Sequence, residues 1–410
     1  MKLEAPPRAG ESRAEITASH SLNHSPDDPA GRSLGGHLPG LDGLRGVAVL
    51  LVMAVHFLGD ATAQTMVQRW VVKVASYGLV GVDLFFVLSG FLITGLLVES
   101  KGQSRYFQNF YARRTLRIFP LYYFVLAGLF IVLPKLTTPS PLLETAQVHQ
   151  VWLWTYLSNF YVAATASWES LTYVSHFWSL AIEEQFYLLW PLVVFTCSRQ
   201  TLERICLGVI VFGLGLRIAL ALNGVSELSI SVLTPCRVDT LCVGAFLAIR
   251  LRQLGAFKAW VDKSGRAALF LAALLFAVIL FGAMTKFAPE MLHQVLHQVR
   301  NSLYALLFGA MILVALKPRS NVVARTLQAP LLRFFGKYSY GLYVYHGLLT
   351  WAMIEFHAEA WLDAALGNHT LTMAARAAIG VAISLAVAML SYHCMEKRFL
   401  ALKRYFGAAS

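Results

Sequence analysis

Ten stretches of the chain run through apolar residues with little interruption, near 43–58, 78–98, 118–134, 180–197, 204–222, 233–250, 267–285, 300–316, 336–356 and 371–395. A helix needs about 20 largely apolar residues to cross a bilayer. The pattern therefore predicts an all-α, polytopic membrane helix bundle of about ten transmembrane helices. An eleventh run, 147–165, is apolar but aromatic-rich and short of aliphatic residues. The placement of charge decides how it is read. If it does not span, 26 of the 34 lysines and arginines fall on one side of the membrane and five on the other. If it spans, that asymmetry collapses. The positive-inside rule thus favours ten spans with both termini cytoplasmic, and leaves 135–179 on the outer face with a re-entrant or interfacial helix near 147–165.

Composition narrows the class. The chain has 410 residues, 57% of them hydrophobic and 14% charged, with a formal net charge of +12. A soluble chain is about 25% charged. Several soluble domains, a disordered chain and a soluble nucleic-acid binder are all excluded on that ground. The first 40 residues are polar and rich in Pro, Gly and Ser, with no apolar core of a secretory signal. The expected organisation is a flexible cytoplasmic tail over 1–40, a transmembrane domain over 41–398 and a cytoplasmic tail over 399–410. Cys197, Cys206, Cys236, Cys242 and Cys394 show no CxxC spacing and read as small apolar residues. No metal site is expected from the scattered histidines.

Charge inside the spans points to chemistry, because intramembrane ions are costly and face a cavity or a partner. Arg217, Arg237 and Arg376 fall in outer halves of spans, as do Asp83, Glu183, Glu184 and Asp239. Arg45 and His56 are eleven residues apart on the first span, about three turns, so they share a face some ~16 Å apart along the axis. His56 is a base or proton carrier, or a hydrogen-bonded core residue. Asp42 can pair with Arg45 at i, i+3. Glu183 and Glu184 enter from the outer face at a depth expected to match His56, with Tyr187 one turn further in. They suit either the orientation of a general base or a helix start. Arg113, Arg114 and Arg117 cluster after the second span. They serve topology and anionic lipid, or bind a phosphate-bearing ligand. Tyr338, Tyr340, Tyr343, Tyr345 and His346 make the ninth span polar, for a site or for interhelical hydrogen bonds. No Gly-rich phosphate loop is present, so nucleotide hydrolysis is not indicated.

Together LDGLRGVAVLLVMAVHF (41–57), GLVGVDLFFVLSGFLITGLL (78–97), FYARRTLRIFPLYY (110–123), SHFWSLAIEEQFYLLWP (175–191), PCRVDTLCVGAFLA (235–248) and GKYSYGLYVYHG (336–347) resemble the acyltransferase-3 family of bacterial integral-membrane acyltransferases. The family's Arg-x10-His signature falls on Arg45 and His56. Its arginine motif falls on Arg114 and Arg117, and its FWSLxxExQFY motif makes Glu183 the motif carboxylate. The family's closing Glu-Lys/Arg-Pro motif reads Glu396-Lys397-Arg398 here, so Glu396 is given no catalytic weight.

The resemblance implies transfer of an acyl group, commonly acetyl, from cytoplasmic acyl-CoA to a hydroxyl of a carbohydrate or glycosylated small molecule on the outer face. Lipopolysaccharide sugars, peptidoglycan and exopolysaccharide are typical acceptors. The expected localisation is the bacterial inner membrane, and the expected form a stand-alone transferase. Acetyl-CoA is then a co-substrate, with no permanently bound cofactor. On this reading Arg45, Arg113, Arg114 and Arg117 hold the donor, and His56 is the base, oriented by Glu183 or Asp83. Glu184, Tyr187, Arg237, Asp239, Tyr343 and His346 line the acceptor side or cavity. The outer segments 59–77 and 135–179 would set acceptor specificity. The competing class is a proton-coupled transporter of a small polar solute. It predicts no release of CoA from acetyl-CoA.

Overall fold

In hydrocarbon, every backbone N–H and C=O must be satisfied within its own segment, and a helix does so along its length. The computed structural model describes residues 38–59, 61–253, 256–284, 289–317 and 322–407, and holds helices and no strand among the described residues. Most of the expected N-terminal tail and the last three residues lie outside them. Long helices occupy all ten apolar runs. They are α1 (Pro39–Ala54), α2 (Val80–Ser100), α3 (Tyr106–Ala127), α4 (Trp178–Thr196) and α5 (Arg199–Leu222), followed by α6 (Thr234–Leu251), α7 (Ala256–Met284), α8 (Glu290–Ala315), α9 (Pro330–Glu355) and α10 (His369–Ser391).

Seven helical segments are long and apolar enough to cross a membrane. The three long helices outside that set are α4, α6 and α9. They carry Glu183 and Glu184, Arg237 and Asp239, and Tyr343 and His346. The expected ten spans are therefore ten helices, seven of them with a spanning composition of their own. The polar ones sit inside: α6 lies along α2 and α5, and α9 between α1 and α10. α7 turns nearly all of its apolar surface outward.

The eleventh run forms no helix long enough to span. It breaks into Val151–Trp154 and Ser158–Thr165, with Tyr156 at a positive φ of 55° between them. Eight helical residues rise only about 12 Å. The chain over 147–177 instead folds back over one end of the bundle, burying Leu153, Val162, Leu171 and Phe177 completely. Tyr122 of α3 donates to Leu153 O at 2.7 Å, and Asn159 donates to Val232 O at 3.1 Å and to Thr234 Oγ1 at 2.9 Å. Gln185 of α4 adds a bond to Tyr156 O at 2.8 Å. The aromatic loop is thus a plug tied to three helices.

Two local features shape the interior. Gly46 and Gly336 let α1 and α9 touch backbone to backbone. A Cβ on Gly46 would lie 2.0 Å from Leu332 O, and one on Gly336 1.9 Å from Asp42 O. Small residues permit such crossings in membranes, where dispersion and hydrogen bonding replace a hydrophobic drive. Pro191 interrupts the backbone ladder of α4. Two tyrosines of α3 bond the carbonyls there, Tyr106 to Pro191 O at 3.2 Å and Tyr111 to Leu188 O at 2.8 Å.

All three intramembrane arginines meet carboxylates. Arg217 pairs with Asp239 at 2.7 Å, Arg237 with Asp83 at 2.7 Å, and Arg376 with Glu359 at 2.9 Å. Arg217 also donates to Cys236 O at 2.6 Å and Ser302 Oγ at 2.7 Å, joining α5, α6 and α8. A buried charge with its partner removed is strongly destabilising. These ions hold helices together.

Candidate functional site

The register of α3 brings Arg113, Arg114 and Arg117 to the wall of a cavity of about 330 Å³ at the basic end of the bundle. Arg45 of α1, Arg252 and Lys403 join them there, with Asp42 and Glu99 as the carboxylates in the same wall. Glu99 is bonded to Arg252 at 2.6 Å. The Arg114 guanidinium lies over the rings of Phe110 and Tyr187, at 5.9 Å and 5.7 Å. A second cavity of about 90 Å³ lies deeper and shares Arg45, Leu92, Arg114 and Arg117 with the first. The two cavities adjoin at Arg45, Arg114 and Arg117.

The deeper cavity is lined by Glu183, Tyr187, Ser89, Ser339, Ser179 and Tyr343, with apolar walls from Phe85 and Phe86. The close crossing at Gly46 and Gly336 brings Arg45 to Ser339, to which its Nε and Nη2 donate at 3.2 Å and 3.1 Å. Glu183 accepts from the hydroxyls of Ser89 and Tyr187, and lies in the field of Arg45 and Arg114. Ser89 and Tyr187 are also bonded to each other. At the far end of this cavity the Tyr343 hydroxyl donates to His176 O at 3.0 Å and is bonded to Ser179.

Beyond Tyr343 lies a layer of three imidazoles. His56 sits where α1 widens into a π-helical turn over Val55–Gly59. Such bulges re-aim side chains and are frequent at functional sites. Its Nδ1–H donates to Val52 O at 2.8 Å, which leaves Nε2 of the neutral ring as an acceptor. The His346 ring is 4.8 Å from His56 and 4.9 Å from His176, centroid to centroid. His346 Nδ1–H donates to Leu342 O at 3.2 Å, and its buried Nε2 has no partner among the described residues. His176 packs on Gly347, where a Cβ would come within 2.2 Å of the imidazole. His56 is half-buried, the other two buried. Among the described residues no group of three His, Cys, Asp or Glu is arranged to hold a metal ion.

Several expectations change. Glu183 does not share the depth of His56. His56 lies in the π-helical turn after α1, whereas Glu183 lies in the second turn of α4, seven residues or about 10 Å inward from His176. Its company is Arg45, Ser89, Arg114 and Tyr187. Asp83 does not orient His56 either, since its carboxylate is bonded to Arg237. The orienting group for His56 is a backbone carbonyl of its own helix. Arg237 and Asp239 stand outside both cavities. Arg237 stacks behind the wall, 5.5 Å from the Phe86 ring and 6.0 Å from the Trp178 ring. Glu184, one helical step of about 100° from Glu183, turns towards Tyr122, Tyr123, Tyr156 and Tyr340, and its Oε1 has no partner among the described residues. Asp42 acts on Arg45 electrostatically. Glu396 accepts from Ser391 at 3.2 Å, away from the imidazoles.

His176, Ser179, Ser89, Ser339 and Lys403 were not singled out by sequence. A signal existed for His176, which precedes Glu183 by almost two whole turns and so shares its face. The serines offer none, because a lone hydroxyl in an apolar run is commonplace.

The sequence profile described as "Acyltransferase domain" (Acyl_transf_3) matches residues 38–393. Among curated proteins, the chain is 28% identical over 322 residues to the peptidoglycan O-acetyltransferase OatA of Listeria monocytogenes, a match covering 76% of this chain and 49% of that protein. It is 32% identical over 327 residues to the O-acetyltransferase OatA of Staphylococcus aureus strain NCTC 8325, covering 76% and 50%. The chain thus spans about half the length of these relatives. No solved structure matches it.

Proposed function

The chain belongs to the acyltransferase-3 family, and from that premise we propose that it is a membrane O-acetyltransferase using acetyl-CoA from the cytoplasm. The acceptor is a hydroxyl of a cell-surface carbohydrate on the opposite side of the bacterial inner membrane. The observation that carries this reading is the succession of an arginine-lined outer cavity, a deeper cavity lined by Arg45, Glu183 and Tyr343, and an imidazole layer in ring contact with Tyr343. The names of both relatives support O-acetylation, and that of the Listeria monocytogenes relative supports a cell-wall carbohydrate acceptor.

Arg114 and Arg117 grip the CoA phosphates, since guanidinium binds phosphate through two parallel hydrogen bonds. The pantetheine arm enters between Arg45 and Glu183. It covers the separation of about 16 Å between Arg45 and His56 in extended form. At the imidazole layer, His56 Nε2 takes the proton of the acceptor hydroxyl as its oxygen attacks the thioester carbonyl. The C–O bond forms as the C–S bond breaks, and the departing CoA thiolate takes the proton back from His56. The ester and free CoA thiol are the products, and the imidazole is neutral again. Val52 O fixes the tautomer that this requires. Glu183 acts through the Arg45 and Tyr187 hydrogen-bonding environment on the donor passage, as a positioning residue.

Thiol release from acetyl-CoA by the purified protein, with and without a glycan acceptor, tests the reading. Acceptor-dependent release is expected, reduced by the double substitution Arg114→Ala/Arg117→Ala. No release with any surface glycan fraction overturns it and favours a solute carrier.

A further inference from the structure

Residues beyond 393, outside the matched family region, return along the basic end of the bundle. The helix Lys397–Ala401 and the tight turn Leu402–Phe406 both pack on α3, and Lys403 reaches the wall of the outer cavity. The strongest charges acting on Lys403 are Arg117, Arg114, Arg113 and Arg45, all of its own sign. Lys403, Arg113, Arg114 and Arg117 make no hydrogen bond or ion pair among the described residues. Of the two carboxylates in that wall, Glu99 is already bonded to Arg252. Like charges held together repel, so the cluster is complementary to a ligand bearing more than one anionic group.

The two cavities sort these cations. Arg45, Arg114 and Arg117 belong to both, whereas Arg113 and Lys403 belong to the outer one alone. A CoA thioester that enters with its acyl end inward puts its diphosphate at the shared ring. Its ribose 3′-phosphate then stays in the outer cavity. We infer that Lys403 and Arg113 form a subsite for the ribose 3′-phosphate, closed by the C-terminal turn, while Arg114 and Arg117 take the diphosphate. The inference rests on the proposed acyl-CoA donor. An anionic lipid headgroup offers the same phosphate chemistry from another source.

The test measures binding of CoA and of 3′-dephospho-CoA to the full chain in phosphatidylcholine nanodiscs, with and without phosphatidylglycerol. A charge-assisted bond to phosphate corresponds to roughly tenfold to a hundredfold in affinity. The wild type is expected to prefer CoA by about that factor. Lys403→Gln should reduce the preference by weakening CoA alone, Lys403→Arg should keep it, and Arg114→Ala/Arg117→Ala should weaken both nucleotides. If Lys403→Gln weakens both equally or neither, the 3′-phosphate subsite is overturned while the donor site stands. If phosphatidylglycerol displaces CoA from the wild type but not from Lys403→Gln, and the nucleotide preference is unchanged, the site belongs to lipid. A wild type that binds neither nucleotide overturns the donor reading itself.

Discussion

At the scale of single residues, the site depends on which nitrogen or oxygen is left free. His56 has Nδ1 committed to Val52 O, so Nε2 is the one atom of that ring able to accept a proton. His56→Ala should lower acetyl transfer by about 10²–10⁴-fold, the usual contribution of a general base. An unchanged thermal midpoint of unfolding would separate that loss from misfolding. Asp239 has the opposite character, bonded to Arg217 with both side chains buried. Asp239→Asn should destabilise the protein by about 3–5 kcal/mol, because Arg217 stays buried without its counter-ion. The check is a thermal unfolding curve in detergent, where a shift within error would deny the pair its role. The spacing of Arg45 and His56 put both on the side that meets α9, where Arg45 bonds Ser339 and His56 packs on the His346 ring from its π-helical turn. The partners of Asp83 and the depth of Glu183 were not legible in the sequence, because they depend on where α4 begins and how α2 meets α6. Those are through-space facts that no spacing within one helix encodes.

At the scale of elements, the ten apolar runs foretold ten helices, and the eleventh run forms only two short ones. What the runs could not show was that the 141–177 segment would become a plug, since its buried residues gain their burial from three other helices. The crossing of α1 and α9 was equally hidden, for a glycine in an apolar run looks the same whether it meets backbone or lipid. Gly336→Ala should force the two helices apart and cost about 1–3 kcal/mol as overpacking, with Arg45 drawn away from Ser339. Gly208 and Gly215 of α5 are controls, because a Cβ there meets nothing within 4 Å. Gly208→Ala should be neutral or stabilising by up to about 1 kcal/mol through helix propensity. Unfolding midpoints of the two variants decide it. Equal midpoints would show that the α1–α9 crossing tolerates a side chain.

At the scale of the whole molecule, sorting the +12 net charge gives the bundle a direction. Arginines gather at one end, three imidazoles at the other, and two buried ion pairs hold the intervening helices. The positive-inside rule predicts that the basic end faces the cytoplasm. A fluorescent protein fused after residue 410 should therefore fold and fluoresce, whereas alkaline phosphatase there should be inactive; the reverse would invert donor and acceptor sides. The acceptor was not legible in the sequence, because no motif encodes the chemistry of the outer segments proposed to select it. The central claim is that His56 moves acetyl groups onto surface carbohydrate. Its most direct test is mass spectrometry of the surface glycans of cells lacking the gene, complemented with wild type or with His56→Ala at equal membrane abundance. The account predicts acetylated glycan with the wild type and none above the empty background with His56→Ala. Equal acetylation by the two would contradict it.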